Sequence, residues 1–395
     1  MLNKKVLMAE FSDVRYDARV LKEAQALAKK GLHVDLLMYN EAIKSNRIRF
    51  EDGVIYHEYA FPNRNRNHSF LDRIYRLIAA FWILIRINSY ILLHYAHIYH
   101  AHNLYFLLTA VIRAKLCGSK LVYDAHELHC EHYEPSSLKG NLLNKLSEMY
   151  EHTLVNKCDA FIQASEERAE FIKQRYKIPS PYVIHNYVPL VPYPKPSDIF
   201  IKSCNILPGT PTLFYSGGIY MGGNRRIDKV IEALTFLDGI HLVLIGFMND
   251  SIRYKLESLA KKFNVIERIH LLPSCSPQEI ILYAASADVG IIPLYGNSIN
   301  TKLSALNKIS EYLMAGLPLA CSSYQNLRNI VYHNPIGITG ETFNVLSPLS
   351  ISQAVNKIMK NKEKIPYRKN ALFLAHSYMN WQSEEKILYK IYNTL

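Results

Sequence analysis

The chain has 395 residues, 49% apolar and 20% charged, with 16 Gly and 17 Pro. That ordinary globular composition excludes a disordered, collagenous or low-complexity chain, and the length suggests two domains, each able to bury its own core. Forty-six Lys and Arg against 34 Asp and Glu leave a net charge of +12, which points to polyanionic partners: nucleic acid, phosphorylated substrates or an anionic membrane surface.

Six scattered cysteines form no C-x-x-C pair and read as reduced thiols. Met1–Val6 contains two lysines and is not followed by a long apolar run. No signal peptide is expected there, which suggests a cytoplasmic address.

In chain order, Lys5–Glu10 reads as a strand and Asp17–Lys30 as a helix with Val20, Leu21, Ala24, Leu27 and Ala28 on one face. Strands are predicted at Val34–Tyr39, Val54–Tyr59, His97–His100, Lys120–Tyr123, Ala160–Ala164 and Tyr182–Ile184. Helices are predicted at Leu104–Leu116, Leu142–Asn156 and Glu166–Gln174. Six prolines between Asn186 and Pro211 block helix and central strand and suggest an interdomain linker. The alternation then restarts. Strands are expected at Leu213–Ser216, His241–Ile245, Ile269–Leu272, Val289–Pro293 and Pro318–Cys321. The helices between and after them are Arg226–Leu237, Ser251–Phe263, Pro277–Ser286, Asn307–Ala315 and Ile351–Met359, with Trp381–Tyr392 last. Strands alternating with helices imply parallel sheets, here in two successive doubly wound α/β domains. The expected domains are 1–190 and 205–375, followed by a C-terminal segment 376–395.

Phe70–Leu93 breaks this pattern, with nine apolar residues in a row at Leu77–Ile85. Arg76, Arg86 and Asn88 interrupt it. Asp72, Arg73, Arg76 and Arg86 gather in an arc of about 140° on a helix. Three readings stay open: a membrane-surface helix, a buried domain helix and a membrane span.

Three constellations carry chemistry. The first runs from Tyr215 through Gly217, Gly218, Gly222 and Gly223 to Arg225 and Arg226, between a strand and a helix. Glycines let backbone N–H groups approach an anion, and two arginines there suit a diphosphate; otherwise the segment is a flexible loop. Its spacing does not fit the dinucleotide fingerprint G-x-G-x-x-G. The second is Asn307–Pro318. There Glu311 can accept from both hydroxyls of a ribose, with Lys308 one turn earlier; the alternative is an intrahelical Lys–Glu pair. In the third, Tyr123–Glu127, His126 and Glu127 stand past a strand's C-terminal end, where open α/β sheets bind ligands, or simply cap a loop. His100 and His102 favour a polar cleft at this edge. No H-x-x-x-H sits on a helix, which disfavours zinc, and no basic–aromatic patch supports nucleic-acid binding.

Several segments resemble, in order, the large retaining glycosyltransferase family four. They are Tyr16–Ala24, His100–Asn103, Lys120–Glu127, Val183–Asn186, Tyr215–Gly218, Pro277–Ile280, Ala287–Leu294 and Asn307–Pro318, with Asn380-Trp381 opening the last helix. The resemblance implies a GT-B architecture, two Rossmann-like domains facing a cleft: an N-terminal acceptor domain, a C-terminal nucleotide-sugar domain and a final helix crossing back to the first. By the same resemblance, Glu311 binds the ribose, Arg225 grips the diphosphate, Lys308 assists, and His126 stands beside the reacting sugar. Three features depart from the family. Leu303 replaces a frequent second glutamate, Gly217-Gly218 replaces Gly-Arg so that Arg226 would supply the missing basic contact, and the N-terminal Gly-Gly loop is absent.

The implied function is transfer of a sugar from a nucleotide diphosphate sugar to a glycan or lipid-linked glycan in cell-surface polysaccharide synthesis, expected in the cytoplasm at the inner face of the cytoplasmic membrane. Retention of configuration follows from the resemblance alone. No metal or cofactor is expected, because fixed cations and Gly217–Gly223 amides can stabilise the leaving diphosphate. A GT-B nucleotide-sugar 2-epimerase and a non-catalytic nucleotide-sugar-binding subunit are the alternatives.

Overall fold

The computed structural model describes residues 3–62, 70–131, 138–296, 298–304 and 307–395. It comprises two compact units, Met1–Asn186 with Glu384–Leu395, and Tyr187–Ser383.

The first unit is built on β1 (Lys5–Asp13), β2 (His33–Asn40), β3 (Arg47–Glu51), β4 (Val54–Ala60), β5 (Ile98–His102), β6 (Lys120–Ala125), β7 (Ala160–Gln163) and β8 (Tyr182–Val183). They lie in the order β3-β4-β2-β1-β5-β6-β7-β8, parallel throughout except for the antiparallel β3–β4 pair. Val6–Ala9 and Ile98–Ala101 are buried without alternation, as expected of parallel strands covered on both faces. The chain leaves β1 towards β2 and resumes on its other side at β5. That reversal opens a crevice at the strands' C-terminal ends.

The second unit contains β9 (Thr212–Ser216), β10 (His241–Ile245), β11 (Ile269–Leu272), β12 (Val289–Ile292), β13 (Leu319–Ser322) and β14 (Gly340–Phe343). Their order is β11-β10-β9-β12-β13-β14, and all are parallel. Here the reversal falls between β9 and β12.

Some elements were not legible as such. The edge strand β3 leaves Ile48 and Phe50 exposed, so it has no buried face to produce an apolar signature. β14 is four residues long and begins with Gly340. The helices Ile199–Cys204, Gln325–Tyr332 and Tyr367–Ser377 lie outside the predicted set. The proline-rich stretch is no free linker, because Tyr187, Val188 and Val191 pack against a core of the second unit.

Phe70–Leu93 is one continuous helix. Only Ile83, Ile87 and Ile91 are buried, while Phe81 is 61% and Trp82 57% exposed. The buried-domain-helix reading is therefore corrected: a narrow i, i+4 stripe seats the helix and leaves most of its apolar surface outside.

Candidate active site

Each unit gathers polar groups at its own sheet reversal. In the first, Asp17 caps the helix Ala18–Lys29 by accepting from Val20 N, which sets Arg19 in the first turn. Arg19 is 4% exposed. It donates to both oxygens of Asp124, at 2.9 and 2.7 Å, and to the Ile184 carbonyl at 2.6 Å. His126 Nε2 lies 3.2 Å from Asp124 Oδ2 and 3.1 Å from His102 Nδ1. Arg168 holds the His126 carbonyl at 2.6 Å. Burial opposes a charge on His126, yet Asp124 and Glu10 raise its pKa to about 9. Asp124 is held well below the usual carboxylate range by Arg19 and His126, against the cost of burial.

Glu10, at the end of β1, is buried and receives Asn103 Nδ2 at 2.8 and 3.0 Å. Burial pushes its pKa up to about 8. Glu23, one turn after Arg19, is raised by burial and by the neighbouring Asp124. Glu127 points elsewhere: its carboxylate is about half exposed and lies 3.8 Å from Arg168.

Glu23, His100, His102 and Asp124 bring ligand-type atoms within 4.8 Å of one another, as do Glu10, His102 and His126. The H-x-x-x-H test does not detect such clusters, because residues from different strands, and in the first from a helix as well, assemble them. Arg19 already occupies both Asp124 oxygens, placing a cation where an ion would otherwise sit.

In the second unit, the turn after β9 carries Gly217 at φ +117° and, beyond β10, Gly246 at φ +156°. The two backbones touch: a Cβ on Gly246 would lie 1.8 Å from the Gly217 carbonyl oxygen. Gly246→Ala should therefore lower stability by several kcal/mol and displace the Gly217 turn, a loss of Tm readable by calorimetry.

Lys308, in the helix Asn307–Met314, points its ammonium at this turn. It lies 3.9 Å from the Tyr215 ring centroid and 3.2 Å from where a Cβ on Gly217 would stand. Lys308 is 9% exposed. Burial, then the positive charge of Arg225, holds its pKa well below the usual range, with Glu311 opposing. The same helix is pinned to β9 because Ser216 N donates to Tyr312 Oη at 2.8 Å. Tyr215 Oη donates to the Gly218 carbonyl.

The backbone of Arg225 bridges Leu294, just past β12. Arg225 and Glu311 both act on the Lys308 charge, and Lys308 faces Gly217, with Gly218 next in the turn. Arg226 does not join them. It forks onto Asp228 at 2.9 and 2.6 Å, so the charge expected to replace the missing basic contact is already neutralised. Leu303 ends the short helix Ile299–Lys302 and supplies no carboxylate. Pro277–Ile280 is explained by capping: Ser276 and Glu279 form a complete capping box.

Sequence reasoning missed Glu10, Arg19, Glu23 and Asp124 as site residues. The usable signal was a charge inside an apolar pattern: Glu10 closes a buried strand, and Arg19 and Glu23 lie beside Val20 and Ala24.

Two α/β units with mostly parallel sheets and polar groups at each reversal are the hallmarks of GT-B enzymes. The profile of Glycosyltransferase Family 4 matches residues 18–191, and that of Glycosyl transferases group 1 matches residues 211–371. The chain belongs to the family 4 type of glycosyltransferase. No curated protein sequence matches. Among solved structures, a sucrose-phosphate synthase from Thermosynechococcus elongatus is 14% identical, with a TM-score of 0.76 over 99% of both chains. HepE from Anabaena in complex with UDP-glucose is 14% identical, with a TM-score of 0.70 over 100% of both chains. The lipopolysaccharide outer core galactosyltransferase WaaB is 13% identical, with a TM-score of 0.65 over 99% of this chain and 100% of the other. At these identities the structures share the fold.

If Glu311 accepts from the ribose diol, Glu311→Gln removes a charge-assisted acceptor at nearly constant shape, at a cost of about 1.5–3 kcal/mol. UDP affinity should then fall roughly tenfold to a hundredfold with Tm unchanged. An unaltered Kd would return Glu311 to an intrahelical pair with Lys308.

Proposed function

We propose that this glycosyltransferase moves a sugar from a nucleotide diphosphate sugar to a glycan or lipid-linked glycan in cell-surface polysaccharide synthesis, with retention of anomeric configuration, at the cytoplasmic face of the membrane. One observation carries the donor assignment: a buried lysine ammonium faces a glycine turn at the sheet reversal, with Arg225 and Glu311 beside it. A buried ammonium is costly unless an anion pairs with it, and a diphosphate meets that need while the Gly217 turn lets it approach. HepE, a structural relative, is described with UDP and with UDP-glucose, which supports a uridine nucleotide as the first choice. Lys308 and Arg225 stabilise charge developing on the leaving diphosphate, and Glu311 fixes the ribose. His126 faces the sugar.

Incubation with UDP-, GDP- and dTDP-sugars tests this reading. Nucleotide release that depends on an added acceptor supports transfer. UDP release from UDP-GlcNAc alone favours epimerisation, and binding without turnover favours a subunit.

The membrane part rests on Phe70–Leu93, whose mean hydropathy reaches 1.6 with little of it buried. Leu77, Ile78, Phe81 and Trp82 are exposed there, as are Leu108, Ile112 and Leu116 on the adjoining helix Leu107–Cys117. Arg76 is taken up by Glu41 at 2.8 Å and by the Pro62 carbonyl, which leaves Arg73 and Arg86 to meet anionic headgroups. Each contributes roughly 1 kcal/mol. Wild type should pellet with phosphatidylglycerol vesicles at low salt. Arg73→Glu with Arg86→Glu should cut that partitioning at least tenfold. Equal, negligible pelleting with anionic and neutral vesicles would remove the membrane from the proposal.

A further inference from the structure

We propose that Asp124 is a positioning residue for His126: clamped by Arg19, it takes up the Nε2 side of the imidazole together with His102 and turns Nδ1 outward as a charged donor to the sugar nucleotide. The inference rests on His126 facing the donor, as proposed above.

Three atoms form a near-equilateral triangle. His126 Nε2 is 3.1 Å from His102 Nδ1 and 3.2 Å from Asp124 Oδ2, and those two are 3.3 Å apart. Asp124 Oδ2 is within reach of both ring nitrogens and accepts from His126 Nε2–H. Asp124 cannot swing away, because Arg19 forks onto its two oxygens and is itself tied to the Ile184 carbonyl. The His126 backbone is fixed from the other side by Arg168. Among the described residues nothing hydrogen-bonds His126 Nδ1, and the side chain keeps 17% exposure while Asp124 and His102 are fully buried. The ring therefore has a buried nitrogen committed to the protein and an outer nitrogen free for a ligand. This is the logic by which a carboxylate sets a catalytic histidine's orientation.

The charges around the ring come from every neighbouring element. Glu10 on β1 and Asp124 on β6 favour the imidazolium, while Arg19 on the first helix opposes it. Glu23 and His100 lie behind His102, and Arg168 and Glu127 flank the loop. Glu10 and Glu23 are raised by burial, so Asp124 is the principal anion holding the proton. A protonated ring donates to phosphoryl or sugar oxygens more strongly than a neutral one.

Imidazole ¹⁵N spectra of the full chain test this directly, with His126 assigned by its loss in His126→Asn. In wild type at pH 7.5 both His126 nitrogens should be protonated, and titration should centre near 9. In Asp124→Asn the midpoint should drop by at least one pH unit. A neutral His126 ring in wild type, or an unmoved midpoint, overturns the proposal. Should Asp124→Asn fail to fold with Arg19 left unpaired, the wild-type spectrum still decides the charge. Orientation is read separately with the best donor of the nucleotide-sugar panel. Asparagine presents its amide near the Nδ1 position and glutamine near Nε2, so His126→Asn should retain at least tenfold more turnover than His126→Gln. Equal rates or the reverse order refute the orientation. Full turnover in His126→Ala would refute the underlying reading instead, and leaves the spectrum untouched.

Discussion

Lys308→Met will weaken UDP binding by roughly 10- to 100-fold and abolish the proton uptake that accompanies it. Burial and Arg225 hold the Lys308 pKa well below the ordinary lysine value, so its neutral form is favoured more than that of an exposed lysine. A diphosphate arriving over Gly217 stabilises the ammonium and raises its pKa. Binding must then draw a proton from solution. Methionine keeps the stem's packing on Tyr215 and deletes only the charge, so the affinity lost is that of a charge-assisted contact, about 1.5–3 kcal/mol. Titration calorimetry in buffers of different ionisation enthalpy measures both quantities at once. The sign also fixes the pH trend. Below the depressed pKa the lysine is already charged, so uptake should vanish there and grow as pH rises through it. Uptake that persists in Lys308→Met would assign the proton to another group.

His126→Ala will lower turnover by about 100-fold or more while UDP binds near the wild-type level. Removing one preorganised donor at a developing charge costs that much where such donors have been deleted elsewhere. His126 belongs to the first unit, and the nucleotide contacts proposed here all belong to the second, which separates the two effects. The ring also contributes to stability. Its folded pKa of about 9 exceeds the ordinary 6.5, so that contribution is complete below about pH 6.5 and lost as pH rises through 9. The alanine variant should therefore lose Tm most at acidic and neutral pH and least above pH 9. Full turnover in this variant would return His126 to a loop-capping role.

Legibility in the sequence followed the physics of each element. Strands buried on both faces announced themselves as apolar runs, and His241–Ile245 was found to the residue; the half-buried edge strand Ile269–Leu272 kept enough apolar residues to be found as well. The exposed edge at Arg47–Glu51 had no such run and was missed. Phe70–Leu93 showed length and hydropathy but not its seat: whether Trp82 is inside or outside depends on what the stripe Ile83, Ile87 and Ile91 meets. Arg225 and Arg226 look alike on paper. Asp228, two residues on, captures the second, and only the turn's geometry decides which arginine stays available.

By itself the sequence determined two α/β units, the glycine turn after β9, the helix carrying Lys308 and Glu311, and the loop bearing His126. These are local matters of period, turn chemistry and spacing. Tertiary structure decided the rest. Asp124 meets Arg19 across 105 residues, and His102 meets His126 because parallel pairing sets β5 beside β6. Gly246 must be glycine because the Gly217 carbonyl presses on it. A charge's partner, and hence its protonation and its direction, is set by which strands are neighbours, and strand order is a property of the whole fold rather than of any window of the chain.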